Sequence, residues 1–62
     1  MLIYENIKEL GEKKKIPLRE IEQKSGLSNG AISKWKTLSP TVKSLQAVAK
    51  VLEVTVDTLL KE

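Results

Sequence analysis

Apolar residues recur at three- and four-residue intervals along most of the chain, the period of helices that bury one face. Over residues 2–14, Leu2, Ile3, Ile7 and Leu10 share one face, while Glu5, Lys8, Glu9, Glu12 and Lys13 share the other. Glu9 and Lys13 stand four apart in the favourable order for a weak ion pair. Gly11 lowers helix propensity near the end of this segment. The lysine run at 13–15 suits a helix C-terminus, where cations meet the negative end of the dipole. Phosphate contact is its other reading, but the capping role already accounts for the run. Ile16-Pro17 is a joint, because proline disfavours helix at the residue before it and is tolerated in the first turn after it. The first helix therefore stops near Lys15, the second starts at Pro17 or Leu18, and Ile16 drops into the core.

From Leu18 to Thr37 the pattern breaks and resumes within a few residues. Leu18 and Ile21 make one short apolar face; Ile32 and Trp35, with Ala31 behind them, make another. Between them Gly26 can adopt the left-handed conformation that ends a helix. Ser28 can accept a hydrogen bond from the first free amides of the next helix, and Leu27 plugs the corner. Two helices joined by a turn of three to four residues are predicted, the geometry of a helix-turn-helix over about residues 18–37. Asn29-Gly30 is a hairpin signal where alternating apolar residues flank it. Here the flanks do not alternate, so the helix is preferred, with Gly30 costing it about 1 kcal/mol.

Leu38 continues the spacing of Ile32 and Trp35, and Pro40 ends whatever helix precedes it. Thr41, or alternatively Ser39, caps a fourth helix running to about Leu52, whose buried stripe is Val42, Leu45, Val48, Ala49 and Leu52. A last short helix follows, capped by Thr55, with Val56, Leu59 and Leu60 facing inward. The prediction is an all-α fold: five helices, short connections, no strand and no repeat.

Composition narrows what such a fold does. Sixty-two residues make a single domain, 1–62, that buries about 60% of its unfolded surface. Its stability margin is on the order of 3–5 kcal/mol. The chain has no cysteine and no histidine, which removes disulfides, thiolates and the commonest metal ligand and general base. No catalytic, cofactor or metal site is expected, and no small-molecule substrate. The opening MLIYENIKEL lacks the pattern of a signal peptide, and no apolar stretch approaches membrane-spanning length, so a cytoplasmic protein with no membrane partner is expected. Net charge is +3, and the five lysines between Gln23 and Leu52 (Lys24, Lys34, Lys36, Lys43, Lys50) stand in a window without Asp or Glu. A one-sign central block between mixed ends presents a positive face to a polyanion, although a solvated lysine surface has the same composition.

The order of residues resembles the Cro/phage-repressor type of helix-turn-helix family, the xenobiotic-response-element-like regulators. The resemblance rests on Ile21, Glu22, Gly26, Leu27, Ser28, Ile32 and Ser33, and downstream on Pro40-Thr41-Val42, Leu45, Ala49, Leu52, Val54-Thr55-Val56-Asp57 and Leu59-Leu60. Each motif alone is weak; their joint spacing over about forty residues is specific. The chain departs from the family pattern at four places. Glu22 stands where the helices of the motif cross and a small residue is usual, so its charge must snorkel outward or find a partner. Ser25 follows at the next core position. Leu18 replaces the glutamine that commonly opens the second helix and bonds a DNA phosphate, leaving Arg19 as its substitute. Glu53 replaces a glycine before the last helix.

The resemblance implies a compact five-helix lambda-repressor-like domain that binds double-stranded DNA, with the second motif helix in the major groove. The residues so presented to base edges are Ser28, Asn29, Gly30, Ser33 and Lys34. Asn29 can bond adenine and Lys34 guanine, while Ala31 is placed to touch a thymine methyl. An ordinary first-turn asparagine and a phosphate-bound or solvated lysine are the plainer readings of the first two. Backbone contacts fall to Arg19, Lys36, Thr37, Ser39 and Lys43, to the amides of residues 37–39, and to the positive ends of the second and third helices. Trp35 belongs to the core by its spacing rather than to a stacking platform, and Tyr4 to its edge. The resemblance further implies a repressor-like prokaryotic or phage regulator, a homodimer on a palindromic operator, with loop 38–41 and the C-terminal helix as dimer surface. The alternative is a protein-interaction or antitoxin-type module on the same fold, which an exposed apolar patch at Val51, Val54 and Leu60 would favour.

Overall fold

A computed structural model describes residues 3–61. Four α-helices and one 3₁₀ helix make up its regular structure, with no strand among the described residues: α1 (Ile3–Lys13), α2 (Leu18–Ser25), a 3₁₀ helix (Ser33–Lys36), α3 (Val42–Leu52) and α4 (Val56–Leu60). The all-α class is as predicted, but the third of the five expected α-helices is replaced by turns and the 3₁₀ segment. Leu2 lies outside the described residues.

All four α-helices and the turn before the 3₁₀ helix contribute to one core: Ile3 and Ile7 from α1, Ile21 from α2, Ile32 from that turn, Leu45, Val48, Ala49 and Leu52 from α3, and Leu59 from α4. Burying one such aliphatic side chain is worth about 1.5–3 kcal/mol, comparable to the whole margin of a domain this small. Helix α2 packs on α3, while α1 packs on α4, on the 3₁₀ helix and on α2. Asn6 ties α1 to the chain's end by donating from Nδ2 to the Leu59 carbonyl at 2.9 Å and to that of Lys61. Ile16, Leu18 and Trp35 pack, partly buried, against the same core.

Three predicted inward residues point out instead. Leu38 is 61% exposed and Val42 67% exposed. Thr37, at φ −121°, turns the chain out of the 3₁₀ helix before Leu38 can complete the 32, 35, 38 stripe. Val42 is the first residue of α3, and helical side chains lean toward the N-terminus, which carries it past the end of the core. Leu60 is 36% exposed, because neighbours on a helix diverge by about 100° and Leu59 takes the inward direction.

The helix ends follow from local chemistry. Thr41 and Thr55 accept bonds from the amides of Ser44 and Thr58 at 3.1 and 3.2 Å. Each of α1, α2 and α3 closes with paired backbone bonds onto a left-handed residue, Lys15, Gly26 and Glu53 in turn, the arrangement that satisfies terminal carbonyls. A left-handed non-glycine residue costs about 1–2 kcal/mol. Glu53→Gly is therefore expected to stabilise the fold by about 0.5–1 kcal/mol after allowing for glycine's greater unfolded freedom. A urea titration checks this; a lowered midpoint refutes it.

Candidate nucleic-acid interface

The motif opens as expected, with α2 ending at Gly26, whose amide and that of Leu27 bond the carbonyls of Gln23 and Glu22. Its second half differs. Gly30 stands at φ +81°, a left-handed conformation that interrupts any right-handed helix passing through it. Residues 29–32 are consecutive turns, and the bonds that follow are mostly of i→i+3 type: Ala31 to Ser28, Lys34 to Ala31, Trp35 to Ile32 and Thr37 to Lys34. The predicted recognition helix is thus a tighter, shorter element, and Gly30 works as a turn residue rather than as a weak helix former.

The cap differs too. The amide of Ala31 is bonded by the Ser28 carbonyl at 3.1 Å, and the Ser28 hydroxyl is not the cap. That role belongs to Glu22, 5% exposed, whose Oε1 accepts from the Gly30 amide at 3.1 Å and Oε2 from the Ile32 amide at 3.0 Å. The carboxylate at the crossing has found its partner in the backbone of the element it crosses. With these amides taken, the leading end of the second element holds fewer free donors for a phosphate than predicted. The amides of Thr37 and Leu38 are likewise occupied, both by the Lys34 carbonyl. Beside Glu22, the Ser25 Oγ is buried without a hydrogen-bond partner among the described residues.

Ile32, fully buried, and Trp35, half-buried, anchor this element from beneath. Ser28, Asn29, Gly30, Ser33 and Lys34 are all exposed, and so are Arg19, Lys36, Thr37, Ser39 and Lys43; Ala31 is half-buried. The first group therefore shares one short exposed stretch. Lys36 holds its Nζ 4.7 Å from the centroid of the Tyr4 ring, a contact worth about 0.5–1 kcal/mol at an exposed site. Tyr4 thereby enters the surroundings of the interface, which spacing alone did not suggest. Lys24 pairs with Glu20 at 3.1 Å and Lys13 with Glu9 at 3.5 Å, the second as predicted. Pairing discounts Lys24 from the cationic block.

A groove of about 110 Å³, lined by Ile3, Trp35, Lys36, Thr37, Leu38 and Ser39, runs beside the 3₁₀ helix. Among the described residues no group of three His, Cys, Asp or Glu is placed to hold a metal ion. No described helix is long and apolar enough to cross a membrane.

Two short elements about a tight corner, with the second exposed and flanked by lysines, define a helix-turn-helix. Residues 7–59 match the model of a family described as helix-turn-helix. The chain belongs to that family, the Cro/C1-type helix-turn-helix proteins, and is a DNA-binding domain of the regulator class. No curated protein and no solved structure matches it.

Proposed function

We propose that residues 1–62 act as one sequence-specific double-stranded DNA-binding domain, a cytoplasmic repressor-like regulator of prokaryotic or phage type. It works as a homodimer on a palindromic operator, presenting residues 28–34 to the major groove. The carrying observation is the exposed run Ser28, Asn29, Gly30, Ser33 and Lys34 on an element anchored by buried Ile32. Arg19, Lys36, Thr37, Ser39 and Lys43 hold phosphates on either side. Exposed Leu38 opens loop 38–41, exposed Val42 follows it, and the two supply apolar surface for the second subunit. Of the patch that would favour a protein-interaction module, Leu60 is exposed while Val51 and Val54 are half-buried against the core.

Selection of bound sites from a random duplex pool tests the reading. A two-fold symmetric motif with half-sites about 34 Å apart, one turn of duplex, is expected; absence of enrichment overturns it. In the same assay Lys34→Ala is expected to relax preference at one base step by about 1–3 kcal/mol. A uniform loss over all sequences instead makes Lys34 a backbone anchor.

A further inference from the structure

We propose that Glu22 is a positioning residue for base reading: its buried carboxylate, bridging the amides of Gly30 and Ile32, sets the shape in which Asn29, Gly30 and Lys34 meet the duplex. The proposal rests on the DNA reading above and goes beyond it, since Glu22 touches no DNA. Its oxygens span two amides, eight and ten residues along the chain, at 3.1 and 3.0 Å. Gly30 lies between two other proposed base-contacting residues, Asn29 and, past Ala31 and Ile32, Ser33 at the start of the 3₁₀ helix. A bond to its amide from α2 therefore fixes a left-handed residue, φ +81°, in the middle of the reading stretch. Ile32, held by the other oxygen, is fully buried. One carboxylate thus couples the orientation of α2 to both the exposed tip and the buried root of the reading element.

The chemistry requires a group with two acceptors. Glutamine has nearly the same shape but one acceptor, so in Glu22→Gln one of the two amides faces an NH₂ donor and that side of the turn must open. The charged phosphate contacts, at Arg19, Lys36 and Lys43, are insensitive to the opening, and those of Thr37 and Ser39 lie beyond the 3₁₀ helix. Base contacts are geometric, each worth a factor of roughly 10 to 100 in discrimination, and are sensitive to it.

The test is Glu22→Gln in the full chain, studied where circular dichroism shows it as folded as the unsubstituted protein, with affinity measured for a selected site and for random duplex. The ratio of the two is expected to fall about tenfold, while random-duplex affinity holds or rises, because a negative charge has been removed. Amide exchange at Gly30 and Ile32 is expected to quicken together, beyond any global change. If Glu22 serves stability alone, both affinities move together with the folded fraction, and an unchanged ratio in the folded variant overturns the proposal. Should Glu22→Gln fail to fold, Glu22→Asp keeps both acceptors but withdraws them by one methylene; the same fall in ratio is expected, and an unchanged ratio overturns the proposal. If the unsubstituted protein shows no preference for any duplex, the DNA reading itself fails, and this proposal with it.

Discussion

Gly11→Val is expected to lower stability by about 3 kcal/mol, most of the margin of a domain this size. A Cβ at Gly11 would stand 2.7 Å from the Ile16 carbonyl oxygen and 3.3 Å from Ile21 Cδ1. The first of these contacts is with backbone and cannot be relieved by a rotamer change. The Ile16 amide also bonds the Gly11 carbonyl at 2.7 Å, so the chain at this joint is held against α1 from both directions. Moving it displaces Ile16 and tilts α2, whose Ile21 is fully buried. Valine adds two methyls to the clash and a lower helix propensity. Gly11→Ala gains about 1 kcal/mol of propensity and should cost only about 1–2 kcal/mol net. At roughly 4–8 °C per kcal/mol, Gly11→Val should drop the thermal midpoint by more than about 10 °C. A melt followed by circular dichroism reads it, and an unshifted midpoint means that the close approach is absent.

Gly11 also marks how far periodicity carries. Its low helix propensity is visible in the sequence, but the carbonyl that excludes a side chain belongs to Ile16, across a turn whose geometry depends on Lys15 at φ +59°. The stripes Ile3-Ile7 and Leu45-Val48-Ala49-Leu52 were legible because each is set by one helix's own period. So were the caps Thr41 and Thr55, which act within three residues. Leu38, Val42 and Leu60 depart from the pattern because a period says which way a side chain points and not where the neighbouring body ends. At Asn29-Gly30 the turn chemistry is real but takes another form: the pair sits in a turn within the motif in which Gly30 alone is left-handed, neither hairpin nor helix. Local spacing points to the hydroxyl of Ser28 as cap, whereas the carboxylate that bonds the amides lies six residues upstream of it. Glu22 prevails because it offers two acceptors from a buried place, where an unpaired charge would be costly. The signal available was the charge itself, at a position that must be buried if the two elements cross.

Duplex affinity is expected to fall by roughly three to four orders of magnitude between about 50 and 200 mM monovalent salt. The electrostatics narrow the charges responsible. Lys24 is paired with Glu20, and Lys13 with Glu9, which leaves Arg19, Lys34, Lys36 and Lys43 as the exposed cations in or beside the motif that the proposed docking brings to DNA. Three or four charged contacts in each of two subunits give a slope of log K against log salt of roughly −5 to −7. Helix-end amides would add salt-insensitive donors, but those of Gly30, Ala31, Ile32, Thr37 and Leu38 are already bonded within the protein. In the proposed docking, side-chain cations therefore share the phosphate contact with the first amides of α2, which no side chain caps. Lys36→Ala tests the assignment, since its ammonium is steadied over Tyr4 and its loss should shallow the slope by about two, one for each subunit. A slope near half the expected value for the unsubstituted protein indicates a single subunit on DNA. One near zero removes phosphate contact, and with it the docking of residues 28–34 against a duplex.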